Sequence, residues 1–173
     1  MDDFASIETL VRQLEGVLRD LIGHHERLAQ NLVAKRAALS AADHDRVVKL
    51  LEVENATVQA VAEGDKLRQQ IVAALTLQLD PAAVAPQPMR DVAQQLEEPH
   101  RGRLLVLREQ LRDRMLAVRR ESTVARAATE SLTRHMQGLL HTIQTVCSGG
   151  AAYGSGGSAP PVAAVVSTFN TTA

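Results

Sequence analysis

Of 173 residues, 45% are apolar, yet only 2% are aromatic and none is Trp, so the chain resembles a helix bundle or coiled coil more than an enzyme with an aromatic-filled core. Cys147 is the only cysteine, which excludes an internal disulfide and fits a reducing compartment. The net charge of −1 hides an asymmetry: residues 1–98 carry 10 basic and 16 acidic side chains, residues 99–134 nine Arg and four acids, and beyond Arg134 there is none of either sign.

By length the chain is one domain. The opening Met1-Asp2-Asp3 is acidic and lacks the basic segment and apolar run of a secretory signal. Pro160 to Phe169 is far too short to cross a bilayer, so a cytoplasmic protein without membrane insertion is expected.

Helix 1 is predicted over about residues 7–39. Ile7, Leu10, Leu14, Val17, Leu21 and Leu28 form one row, with Val11, Leu18, Ile22, Leu32 and Leu39 beside it. Together they make a stripe wide enough to touch two neighbours. Ser6 is placed to cap its start, and Asp43, after the link Ser40-Ala41-Ala42, to cap helix 2, with Asp45 near the positive end of the helix dipole. So short a link predicts antiparallel neighbours.

Helix 2 is predicted over about 44–79, its inner face being Val47, Leu51, Val58, Val61, Val72, Leu75 and Leu79. Glu54, Asp65 and Arg68 fall on or near that stripe and Gly64 interrupts it. A helical Gly costs only about 1 kcal/mol relative to Ala, so one continuous helix is expected, with a break at Gly64 the alternative. The prolines at 81, 86 and 88 push their predecessors out of helical geometry and end helix 2. A short helix over 89–97 turns Val92 and Leu96 inward, and Pro99 is expected in the first turn of the next helix.

That last long helix, helix 3, is predicted over 100–147. Leu104, Leu107, Leu111, Met115, Val118, Ser122, Ala125, Thr129, Leu132, Met136, Leu139, Ile143 and Val146 recur at steps of three or four. At 1.5 Å per residue the stripe is roughly 65–70 Å long, which predicts a rod and not a sphere with a catalytic cleft. The expected fold is all-α: an elongated antiparallel three-helix coiled-coil bundle over residues 1–147. Residues 148–173 are expected to form a flexible tail, since half of the ten Gly lie from Gly149 onward among Ser, Ala and Pro.

No constellation for chemistry emerges. His24 and His25 diverge by about 100° on a helix, and His135 and His141 are six apart, so no metal is expected. Glu97-Glu98 reads as a solvated pair, nothing resembles a nucleophile elbow, and Gly154–Gly157 lacks the strand, helix and Lys of a phosphate loop. Neither catalytic residues nor a cofactor are expected, and binding remains.

Two readings of the uncharged end of helix 3 stay open. Helices 1 and 2 bury it, or it offers an apolar face to a client. The Arg-rich part of helix 3 is expected to lie against the acidic first helices. Alternatives are an Arg-face nucleic-acid binder, disfavoured by the interleaved Glu109, Asp113, Glu121 and Glu130 and the absence of stacking aromatics, or a self-associating coat or scaffold protein.

Several residues carry a family resemblance. They are Leu21-Ile22, Glu26, Leu28, Lys35 and Leu39 before an Asp-containing turn; Glu54 and Arg68; and Glu130-Ser131-Leu132 with Leu139-Leu140 late in helix 3. Tyr153-Gly154, followed by Gly156-Gly157, completes the pattern. Over residues 7–157 the chain resembles the flagellar export chaperones of the FlgN type, most tellingly in the Tyr-Gly after a long final helix. The resemblance implies a cytoplasmic, non-enzymatic chaperone, monomeric or a small homo-oligomer. It would hold the terminal helix of unassembled hook-associated proteins and deliver them to the flagellar type III export apparatus. On that reading Leu132, Met136, Leu139, Leu140 and Ile143 contact the client and Tyr153 docks on the export gate.

Overall fold

The computed structural model describes the backbone of residues 2–149 and the side chains of residues 7–147; Tyr153 and the rest of the tail lie outside the described residues. Among the described residues all regular structure is helical: α1 (Asp2–Ser40), α2 (His44–Leu79), α3 (Met89–Gln94) and α4 (His100–Gly149). The chain forms two compact units, Met1–Leu132 and Thr133–Ala173. No helix among the described residues is long and apolar enough to cross a membrane.

α1 begins at Asp2, so Ser6 lies inside the helix and not at its expected start. The helix closes with Asp43 N–H donating to the Ala38 carbonyl (3.0 Å) and Ala42 N–H to that of Leu39 (3.2 Å), the paired bonds of a Schellman stop. This motif needs a left-handed residue, and Ala42 supplies it at φ 55°. A Cβ there is unfavourable by roughly 1–2 kcal/mol, which Gly avoids. Ala42→Gly is therefore expected to stabilise the fold by about 0.5–1 kcal/mol in thermal or urea denaturation, after Gly's greater unfolded-state freedom is subtracted. An unchanged or lowered midpoint would refute that account. Asp43 then caps α2, its Oδ1 accepting from Arg46 N–H at 3.1 Å, with Asp45 in the first turn.

α2 runs unbroken through Gly64, antiparallel to α1. Asn31 Nδ2 donates to the Leu50 carbonyl (3.1 Å), Lys35 pairs with Glu54, and Leu21 lies against Gly64. The expected inner face of α2 needs correction. Val47, Val61, Val72, Leu75 and Leu79 are buried or half-buried as expected, but Leu51 and Val58 are 42% and 48% exposed, and Leu50, Glu54, Thr57, Gly64, Arg68 and Ile71 are the less exposed positions beside them. The polar residues that interrupt the apolar stripe thus belong to the seam itself. Their charges are met there, Glu54 by Lys35 and Arg68 by Asp65 at 2.8 Å, so burial is tolerable.

α2 stops as Asp80 N–H donates to the Thr76 carbonyl (2.8 Å) before Pro81. The following loop returns to the helix through Gln87 N–H and the buried Thr76 hydroxyl (3.2 Å). α3 ends at Gln94, earlier than expected, and Leu96 beyond it is still buried. Pro99 precedes α4 and does not sit in its first turn; its carbonyl accepts from Arg103 N–H at 3.2 Å. Glu98 Oε2 accepts from Gly102 N–H (3.1 Å) and its Oε1 from Arg101 (3.0 Å). The Arg101 bond, then the Gly102 bond, hold its carboxyl below the ordinary value.

The core lies in the first unit. Val11, Leu14, Leu18 and Leu21 of α1 meet Ile71, Val72 and Leu75 of α2, Val92, Ala93 and Leu96, and Leu104, Leu107 and Leu111 of α4. A smaller cluster joins Leu28 and Leu32 to Ala125 and Val118. α4 runs in the same direction as α1 over this stretch: Glu15 faces His100 (3.7 Å), Glu26 faces Arg114 (3.8 Å) and Arg36 bonds Glu121 (2.8 Å).

Candidate functional site

The apolar stripe of α4 is continuous in sequence, but its burial is not. Leu104, Leu107 and Leu111 are in the core, Met115 and Leu116 are exposed, and Ala125 is buried once more. Leu132 is exposed, and in the second unit every described side chain from Thr133 to Cys147 is exposed. Met136, Leu139, Leu140, Ile143 and Val146 are each more than half accessible. Leu132, Met136, Leu139 and Ile143 follow at steps of four, three and four, with Leu140 beside Leu139. That spacing places them along one helix face.

No Asp, Glu, Lys or Arg occurs between Arg134 and Gly149, so that face is uncharged as well as apolar. Exposed apolar strips of this kind commonly mark interaction surfaces. Sequence periodicity marks the stripe, but cannot distinguish an inward from an outward one. Tyr153 lies outside the described residues.

A second surface, not anticipated from the sequence, lies within the first unit. Asp65 and Arg68 of α2, Met89, and Leu111, Met115 and Arg119 of α4 line a cleft of about 580 Å³ together with their neighbours. It adjoins a hollow of about 450 Å³ lined by His25, Val118 and Arg126, and Met115 and Arg119 belong to both. The expectation that the Arg residues of α4 face the acids of the first helices holds only in part. Arg114 approaches Glu26, but Arg119 and Arg126 have no ion-pair partner among the described residues.

The two groups here that could act as a base, Asp65 of the cleft and His25 of the adjoining hollow, are already engaged. Burial raises the pKa of Asp65, but hydrogen bonds from Arg68 and Gln69 and the charges of Arg68 and His25 outweigh it and hold the carboxyl below its ordinary value. A carboxylate tied down in this way is a poor general base. His25 is buried with Nδ1 2.8 Å from the Leu21 carbonyl, a bond that requires that nitrogen to carry the proton. Among the described residues no three potential metal ligands gather.

The sequence model of FlgN protein matches residues 1–161. No curated protein and no solved structure matches the chain. The match covers the whole of the described helical region and the Tyr153-Gly154 pair beyond it. The chain belongs to the FlgN family.

Proposed function

We propose that this chain is a cytoplasmic chaperone for unassembled hook-associated proteins, holding their terminal helices and delivering them to the flagellar type III export apparatus. The helices would be arranged as a three-helix coiled coil, with the cargo seated on Leu132, Met136, Leu139, Leu140 and Ile143. The family membership supports a flagellar export role. The observation that carries the reading is the exposure of an uncharged apolar face at the end of α4. Subunits that polymerise through amphipathic terminal helices need such helices masked until assembly, and a helix face with i, i+4, i+7 anchors is a seat for one. Tyr153, a lone aromatic among Gly and Ser, would dock on the export gate while the helical part holds the cargo.

The test is a quantitative pull-down with purified hook-associated proteins. Burying a Leu or Ile side chain is worth roughly 1.5–3 kcal/mol, so Leu139→Asp with Ile143→Asp should weaken binding at least about 100-fold. Both side chains are already exposed, so the unfolding midpoint should stay within about 0.5 kcal/mol of the wild type. Unchanged affinity in this folded double variant would remove the assigned seat. Tyr153→Ala should spare cargo binding yet impair filament assembly in cells, and normal filaments would remove the docking role. Light scattering decides against self-association as the purpose of the strip if the wild type is a monomer or a defined small oligomer.

A further inference from the structure

We infer that the cleft between α2 and α4 in the first unit is a second seat, for a partner helix whose apolar ridge is flanked by acidic side chains seven residues apart. Arg112, Arg119 and Arg126 recur at seven-residue intervals. Such a row drifts only about 20° per repeat, so the three guanidiniums flank one line along the helix. Arg112 makes only a 3.5 Å contact to the exposed Glu109, and Arg119 and Arg126 have no ion-pair partner among the described residues. Met115, between the first two, is 52% exposed and lies in both hollows, which makes them one groove.

The opposite wall lies on α2. Val72 is in the core and Asp65, one heptad earlier, lines the cleft with Arg68, while beyond them the far side of the adjoining hollow is His25 of α1. From Leu111 to Met115 the α4 row therefore passes from packed to open, opposite the half-buried Asp65. From Arg108 to Arg126 the groove spans about 27 Å, the length of a five-turn helix. Its chemistry is that of a coiled-coil seam lacking one strand: an apolar floor, an Arg-rich rim on α4, and the mutually neutralised Asp65–Arg68 pair on α2. Met at the floor suits more than one side-chain shape.

The charge pattern selects the occupant. Residues after Arg134 contain no carboxylate side chain, so this chain's own tail cannot answer the Arg row. No three acidic residues of the chain stand seven apart, which disfavours a second copy. Nucleic acid would leave the Met and Leu floor unused. An acidic amphipathic helix from another protein satisfies both floor and rim. This seat shares no residue with the Leu132–Ile143 face and does not depend on the export reading.

Fluorescence anisotropy of the full chain with two labelled 18-residue helical peptides tests the proposal. One peptide has a Leu ridge flanked by Glu at seven-residue spacing, and the other has Lys in place of Glu. The Glu peptide should bind at least about 10-fold more tightly, the preference shrinking with added salt. Arg119→Glu with Arg126→Glu, and separately Met115→Asp, should each weaken the Glu peptide about 10-fold or more, while Arg46→Glu at the start of α2 has no such effect. All four positions are exposed, so a folded state is expected and is checked by circular dichroism. Equal affinity for the two peptides, or indifference to the Arg and Met substitutions, overturns the proposal. So does loss of peptide binding in Leu139→Asp with Ile143→Asp, which would put the seat elsewhere. A DNA duplex that binds more tightly and displaces the peptide would assign the groove to nucleic acid. A dimer made monomeric by Met115→Asp would assign it to a second copy; both of these outcomes also overturn the proposal.

Discussion

Leu104→Ala is expected to destabilise the folded chain by about 3–4 kcal/mol, the upper part of the range for deleting a fully enclosed Leu. Leu104 is wholly buried and joins the cluster built from α1, α2, the α3 region and α4, so the void it leaves is bounded by several elements that cannot all relax. For a chain of this length each kcal/mol moves the midpoint by about 2–4 °C, so thermal unfolding should fall by roughly 10 °C. Leu139→Ala, made on the same helix at an exposed position, is the internal reference and should change stability by no more than about 0.5 kcal/mol. Equal losses for the two variants would show that the core has been put in the wrong place.

Gly64→Leu is the second large effect. A Cβ at this position would sit 2.9 Å from Cδ2 and 3.3 Å from Cγ of Leu21, itself a core residue at 2% exposure. Overpacking of this kind typically costs about 1–3 kcal/mol, and the larger Leu side chain places it near the upper end. The gain in helix propensity returns only about 1 kcal/mol, leaving a net loss of about 2 kcal/mol. Gly23→Ala provides the opposing control, because a Cβ there meets nothing within 4 Å. It should stabilise α1 by up to about 1 kcal/mol. If Gly64→Leu proved neutral in the same urea titration, α1 and α2 would not approach each other at that point.

Much of the helical architecture could be read from residue spacing. The apolar rows of α1 recur every three or four residues and are buried or half-buried as that rhythm implies. The prolines after Asp80 end α2, and Asp43 caps it, because both effects are local to a few bonds. The stop of α1 was less legible. Ala42 adopts a conformation that ordinarily calls for Gly, so nothing in its identity announces it.

The face of α2 was misread in part, for a related reason. Leu51 and Val58 are the better apolar anchors, yet Glu54, Gly64 and Arg68 occupy the seam. A charge on a stripe reads as an interruption until its partner is known. Lys35 lies across a different helix, nineteen residues earlier in the chain. Likewise the Arg row of α4 was visible in the sequence as positive charge, but its lack of partners was not.

By itself, then, the sequence determined the helical class, the breaks near 40 and 80, and the apolar, uncharged character of the end of α4, since each rests on propensity and periodicity within one segment. The tertiary structure decided which of those apolar faces are covered. It buried Leu104, Leu107 and Leu111, left Met115 and Leu139 accessible on the same helix, and opened a groove beside Arg119. Burial is a property of pairs of helices: a stripe states what a helix could bury, and only the position of its neighbours determines what it does bury.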